Sequence, residues 1–112
     1  MNFTITKKPN YSIVTSEVDK LNAINSPELK ALFIELNKDN VSQIIIDLSK
    51  TAYCNSTGLS AILAGNRLCK NANGQFVLTG LQSNVRKMIE ISQLHRVFSI
   101  TETLEEAEKL MD

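Results

Sequence analysis

The stretch Val41 to Leu48 constrains this chain more than any other, because it carries Ile44, Ile45 and Ile46 in a row. Successive side chains of a strand point to opposite faces, so a strand holding three adjacent β-branched residues has to be covered on both. Strands of that kind belong to parallel sheets flanked by helices, and the run therefore predicts an α/β architecture.

The neighbouring segments fit. Asn2 to Thr6 alternates in polarity, Lys7-Lys8-Pro9-Asn10 has turn composition, and Tyr11 to Thr15 carries Ile13 and Val14, which together predict an opening β-hairpin. Asn25-Ser26-Pro27-Glu28 reads as a helix start: Asn25 or Ser26 can cap, Pro27 suits the first turn, and Glu28 complements the dipole. Leu29, Leu32, Phe33 and Leu36 then repeat at helical spacing. Asn55 to Lys70 reads as the next helix, stopped at Asn73-Gly74; Gln75 to Leu81 as a strand; Asn84 to Ser92 as a short helix; Val97 to Ile100 as a last strand. Thr103-Leu104-Glu105-Glu106 is a capping box that opens a terminal helix. The predicted fold is one α/β domain over residues 1–112, a mixed, mostly parallel sheet opened by a β-hairpin and covered by about four helices.

Composition narrows the function. The 12 basic and 12 acidic residues cancel, Trp is absent and aromatics are 5% of the chain, so neither a basic stripe nor a stacking platform for nucleic acid is expected. The charges are unevenly placed: six Lys/Arg and one acid lie between Lys50 and Arg96, five acids and one Lys from Glu102 onward. No CxxC spacing joins Cys54 and Cys69, which argues against a zinc site or a disulfide framework. No cofactor is expected, since no Gly-rich dinucleotide or P-loop motif is present. Met1 to Lys8 lacks the apolar core of a signal peptide, and no apolar run approaches the roughly 20 residues of a membrane span, so membrane insertion is not expected and a cytoplasmic location is.

The chemistry-bearing segment is Asp47 to Leu63, DLSKTAYCNSTGLSAIL. A buried strand ends near Leu48, and Asn55-Ser56-Thr57-Gly58 then precedes an apolar helical face. Ser56 or Thr57 is placed at a helix N-terminus, where free N–H groups and the positive dipole end tolerate a phosphate. The residues alone leave two readings open: a modification site, or Asn55 or Ser56 as a plain cap. Cys54 reads mainly as a small hydrophobe, with a pKa-lowered redox thiol as the alternative. His95, the sole histidine, has no acid or nucleophile at telling spacing, so a catalytic triad is not argued and the chain is not expected to be an enzyme.

This segment resembles the signature of the STAS family, the sulfate-transporter and anti-sigma factor antagonist domains, at Asp47, Leu48, Ser49, Tyr53, Ser56, Thr57, Gly58, Leu59, Ile62 and Leu63. Ser16-Glu17-Val18-Asp19, Ser26-Pro27-Glu28-Leu29, Gly74-Gln75-Phe76-Val77-Leu78 and Leu81-Gln82-Ser83-Asn84-Val85-Arg86 resemble further family segments, in the family's order. Three positions depart from it. Asn55 replaces the acid before the serine, Ser16 a glycine, and Gln93 a glycine after the third helix, whose end is therefore expected to form by another route.

The resemblance implies a binding module. By that resemblance the module is expected to bind an anti-sigma factor serine kinase when unphosphorylated and to be released on phosphorylation of Ser56, with Thr57 as fallback and a serine phosphatase to reset it. Candidate partner contacts are Asp19, Asn25, Asn55, Ser56, Thr57, Gly58, Ser60, Leu81 and Ser83, because loops at the same ends of neighbouring strands gather there. The expected state is a monomer or weak dimer. The alternatives are an unphosphorylated STAS scaffold or accessory subunit of a transport or stressosome-like complex, and a small-ligand or redox domain using Cys54 or His95.

Overall fold

In a computed structural model that describes residues 1–111, five strands form one sheet in the order β1-β2-β4-β6-β7. β1 (Phe3–Lys7) is antiparallel to β2 (Ser12–Ser16), and β4 (Gln43–Asp47), β6 (Gln75–Thr79) and β7 (Ser99–Thr101) continue the sheet in parallel. The connections are α1 (Ser26–Lys38), α2 (Ser56–Asn71) and α3 (Ser83–Ile91), and α4 (Leu104–Met111) follows the last strand. From β2 to β7 the strand order advances one way, so crossovers of one hand put α1, α2 and α3 on the same face.

The isoleucine run shows why the other face is covered as well. Ile44 and Ile46 join the large core beneath the first three helices, with Val14, Phe33, Ile62, Phe76 and Leu78. Ile45 points the opposite way, into a smaller cluster with Ile13, Val77, Ala107 and Met111. Ile13, Ile45 and Val77 lie side by side across three strands, and α4 seals that row. Fully burying one such side chain contributes about 1.5–3 kcal/mol, which an uncovered face would forfeit. The capping box holds α4 in place: Thr103 Oγ1 accepts from the Glu106 N–H at 3.2 Å and Glu106 Oε1 accepts from the Thr103 N–H at 3.0 Å. Tyr11 adds a 2.5 Å hydrogen bond from its hydroxyl to Glu108.

Several local expectations need correction. The isoleucine strand ends at Asp47, and the last strand is Ser99–Thr101, because Leu94–Arg96 coil into a 3-10 turn that sends Phe98 into the core. Gln93 ends α3 by the route a glycine would use, at φ +64, and not by a different one. Ser16 ends β2. Its side chain is fully buried and shares a 2.7 Å hydrogen bond with the Thr51 hydroxyl. At the stop of α2, Asn73 takes the left-handed conformation (φ 61), while Gly74 makes the close approach, since a Cβ there would lie 1.8 Å from the Ser42 carbonyl oxygen.

Candidate functional site

Two short strands absent from the sequence expectation build the site. β3 (Lys20–Leu21) and β5 (Tyr53–Cys54) pair in parallel as a separate two-stranded sheet, with Lys20 beside Tyr53 and Leu21 beside Cys54. The Asp19 carbonyl accepts from the amides of Ala52 (2.8 Å) and Tyr53 (3.1 Å), and the Leu21 carbonyl from that of Asn55 (3.2 Å). Beneath them Thr51 is buried and donates at 2.8 Å to the Val18 carbonyl. The loop after β4 is thus fastened to the loop after β2 mainly by backbone, and α2 leaves from that junction.

Asn55 caps α2. Its backbone is extended (φ −95, ψ −176), its Oδ1 accepts from the Gly58 N–H at 3.0 Å, and its carbonyl accepts from the Leu59 N–H at 2.9 Å. The amides of Ser56 and Thr57 come first in the helix and point out of its open end. Ser56 and Thr57 are exposed, and no acid lies in the first turn, so nothing there offsets the positive end of the dipole. Asn55 is therefore the plain cap, and the Ser56 side chain is left outward. Gly58 is buried where a Cβ would lie 2.6 Å from the Leu21 carbonyl oxygen and 3.0 Å from Cys54 Sγ, so glycine lets the helix start press onto β3.

The other proposed contacts divide. Thr57 and Ser60 share a surface groove with Ser26, Pro27 and Lys30 at the start of α1. Asp19 is exposed and joins the site through its carbonyl. Asn25 bonds to its own loop. Its Oδ1 accepts from the Asn22 N–H at 2.9 Å and its Nδ2 donates to the Lys20 carbonyl at 2.8 Å, so it does not cap α1 by its side chain, which stays half-buried. Leu81 is half-buried and packs against the core, while Ser83 is exposed at the start of α3. Their loop reaches the site region through Gln82, whose Nε2 donates at 2.8 Å to the Ser49 carbonyl. Among the described residues no hydrogen bond joins Leu81 or Ser83 to the start of α2.

Tyr53, a position of the resembling motif, is 44% exposed beside Lys20, and Ile24 is 89% exposed next to Asn25; neither was among the expected contacts. No local pattern announces the pairing of β3 with β5, a non-local pair of two residues each.

The environment of Cys54 opposes the redox alternative. Burial pushes its thiol up from 9.0 to about 11, the reverse of activation, and the thiol donates at 3.4 Å to the Asn55 carbonyl. Cys69 is likewise buried and raised to about 11. In the native chain both thiols are expected to resist iodoacetamide at pH 7.5 for hours and to react within minutes in denaturant; rapid native labelling of Cys54 would contradict this environment. The neutral thiol is the form the fold favours, so this contribution to stability is whole below about pH 9 and is lost as pH rises towards 11. His95 is exposed on the 3-10 turn, and among the described residues no cluster of His, Cys, Asp and Glu could hold a metal ion.

The Glu17–Lys50 ion pair (2.6 Å) borders the site. Hydrogen bonds from Lys50 and Thr4 hold the Glu17 carboxyl below its ordinary range, and Glu17 raises Lys50 in return. Both groups are open to solvent, so the pair orients the loop more than it stabilises the fold. No described helix is long and apolar enough to cross a membrane.

A family model for the STAS domain matches residues 2–107. A candidate anti-sigma factor antagonist of Bordetella bronchiseptica, BtrV, is 26% identical over 87 residues, 78% of this chain and 75% of that protein. The crystal structure of a candidate anti-sigma factor antagonist from Thermotoga maritima superimposes with a TM-score of 0.87 at 22% identity, covering 97% of this chain and 93% of that one. The Bacillus cell fate determinant SpoIIAA, solved in its phosphorylated form, superimposes with a TM-score of 0.77 at 18% identity, covering 98% of this chain and 99% of that one.

Proposed function

The chain belongs to the STAS domain family, and on that premise we propose that it is a phosphorylation-switched antagonist that binds an anti-sigma factor serine kinase through the start of α2 and is released when Ser56 is phosphorylated. The observation that carries this reading is the division of labour at the helix start. Asn55 takes over capping, and Ser56 is left exposed on the uncompensated positive end of α2. The solved phosphorylated form of SpoIIAA, which shares this fold, supports it.

A phosphate adds about −1.5 to −2 charge at neutral pH. Facing water at a helix N-terminus that charge is tolerated; sealed beneath a partner it has to be desolvated. Thr57, Gly58, Ser60 and Asp19 are the surrounding contacts in this reading, with Leu81 and Ser83 contributing from the loop tied to Ser49. Asn55 makes no ion pair and serves as the cap, so recognition by the kinase rests on the exposed hydroxyl and the shape around it. A serine phosphatase resets the module, and a cytoplasmic site of action goes with such partners.

Incubating the chain with its anti-sigma factor kinase and ATP is expected to add a single phosphate, located at Ser56 by peptide mass spectrometry and lost in Ser56→Ala. Phosphate on a residue outside 55–60, or none at all, would refute the switch.

A further inference from the structure

β1 is the outermost strand of the sheet, and among the described residues only β2 pairs with it. Its backbone is divided between its two sides. The Lys8 N–H donates to the Tyr11 carbonyl and the Glu17 N–H to the Asn2 carbonyl, each at 2.8 Å. Bonded pairs alternate along an antiparallel ladder, so in the register that sets Ile5 against Val14, Thr4 and Thr6 turn their amides and carbonyls to β2. Phe3, Ile5 and Lys7 turn theirs outward, and a free edge of this kind is a template for another strand. Phe3 lies in the large core, so Ile5 and Lys7 share its face, and Ile5 is 39% exposed. They form one wall of an open groove of about 420 Å³. The other wall is α1, which sets Glu28, Glu35 and Asp39 around Leu32. The remaining cations of α1, Lys30 and Lys38, are not among the walls, so Lys7 faces three acids there. α1 returns the chain from the end of β2 to the start of β4 and so runs alongside β1 in the same direction. Asn2 Nδ2 donates to Glu28 at 2.9 Å, which places Glu28 at the Phe3 end of the groove and Glu35 and Asp39 towards the Lys7 end.

We infer that this edge is where two copies of the chain meet, β1 of one adding antiparallel to β1 of the other about a two-fold axis at Ile5. Backbone and charge both select that occupant. With Ile5 opposite the Ile5 of the second copy, Phe3 falls opposite Lys7 and Lys7 opposite Phe3. Each outward residue then meets an outward residue and exchanges both backbone hydrogen bonds with it. A shift by two residues in either direction sets Lys7 or Phe3 beyond the end of the other strand. A lysine on a free strand edge normally discourages pairing. In this register it does the reverse, because the second copy's Lys7 lands beside Phe3, at the Glu28 end of the groove. The contact is symmetric, so each copy gives one lysine and receives one. On the opposite face Thr4 meets Thr6, which adds no charge, and Glu17 beside Thr4 is already paired with Lys50. The sheet of one copy continues into that of the other, and neither keeps a free β1 edge. The pairing does not rest on the function proposed above and stands or falls without it.

The test is sedimentation of the full chain from about 10 to about 500 µM, with thermal melts to show that each variant is folded; a five-residue strand makes a contact below about 1,200 Å², the size of weak association. The wild-type chain is expected to pass from monomer to dimer across that range. Lys7→Glu and Glu28→Lys are each expected to weaken dimerisation at least about tenfold, since each sets like charges together at both symmetric contacts. Mixed in equal amounts, the two variants are expected to form a heterodimer about as tight as the wild-type dimer, because each then supplies the charge that the other needs. Ile5→Pro removes an outward N–H and leaves the bonds to β2, and it is expected to stay monomeric. Should Ile5→Pro fail to fold, the charge variants and their mixture decide alone. A wild-type chain that stays monomeric throughout, single charge variants that dimerise as well as wild type, or a mixture that stays monomeric would each overturn the pairing. Growth beyond the dimer would overturn the two-fold axis.

Discussion

Ser56→Asp is expected to weaken binding to the kinase by on the order of a hundredfold, about 3 kcal/mol, while Ser56→Ala stays within about threefold of wild type. The physical case lies in two effects of opposite sign. In the free chain an added carboxylate meets the open end of α2, where no acid lies in the first turn, and it should raise stability by roughly 0.3–1 kcal/mol. In the complex the same carboxylate leaves water and faces a surface shaped for a hydroxyl, a loss of roughly 2–5 kcal/mol. The variant should therefore melt slightly higher than wild type and bind far worse. Calorimetric titration paired with a thermal melt reads both quantities on one sample. Equal binding by Ser56→Asp and Ser56→Ala would contradict the switch, and a lower melting temperature for Ser56→Asp would contradict the electrostatics assigned to the helix start.

Gly58→Ala is expected to destabilise the fold by about 2–3 kcal/mol and lower the melting temperature by roughly 10 °C. Helix propensity predicts the opposite sign, because replacing a glycine inside a helix with alanine gains about 1 kcal/mol where there is room. There is no room here. The new methyl would stand 2.6 Å from the Leu21 carbonyl oxygen, 2.9 Å from Leu21 Cγ and 3.0 Å from Cys54 Sγ. The nearest of these is backbone, and that carbonyl also holds the Asn55 amide, so relief by moving β3 would loosen the cap of α2 as well. Amide exchange at Asn55 and Gly58 should accelerate with the loss of stability. A Gly58→Ala chain as stable as wild type would show that the helix start does not depend on this close approach.

What the sequence discloses and what it conceals follow from the range of the interactions. Ile44 to Ile46 revealed a doubly covered parallel strand because a β-branched run has few other homes. The Thr103–Glu106 box and the Asn73-Gly74 stop were legible because each is complete within four residues. Placing Ser56 at a helix start was legible for the same reason. The β3–β5 pair was not, since two-residue strands carry no period and their bonds join positions more than thirty residues apart. That omission explains the others. Without the pair, Asn25 looked like a side-chain cap of α1, when its side chain instead bonds to the Asn22 amide and the Lys20 carbonyl at the end of β3. Cys54 was legible in its main reading as a small hydrophobe, and the packing around it shows why the redox alternative fails: desolvation prevails over the nearby helix start.

The fastening of the site loop by the Asp19 and Leu21 carbonyls bears on how such a module changes over generations. Backbone groups are present whatever the side chain, so the amides of Ala52, Tyr53 and Asn55 would stay held through most replacements at positions 19, 20 and 53. Residues facing outward from this scaffold can drift to suit a new partner while the Ser56 hydroxyl keeps its place. Duplicated copies could then acquire separate allegiances by surface substitution alone, with the helix start and the core beneath it inherited intact.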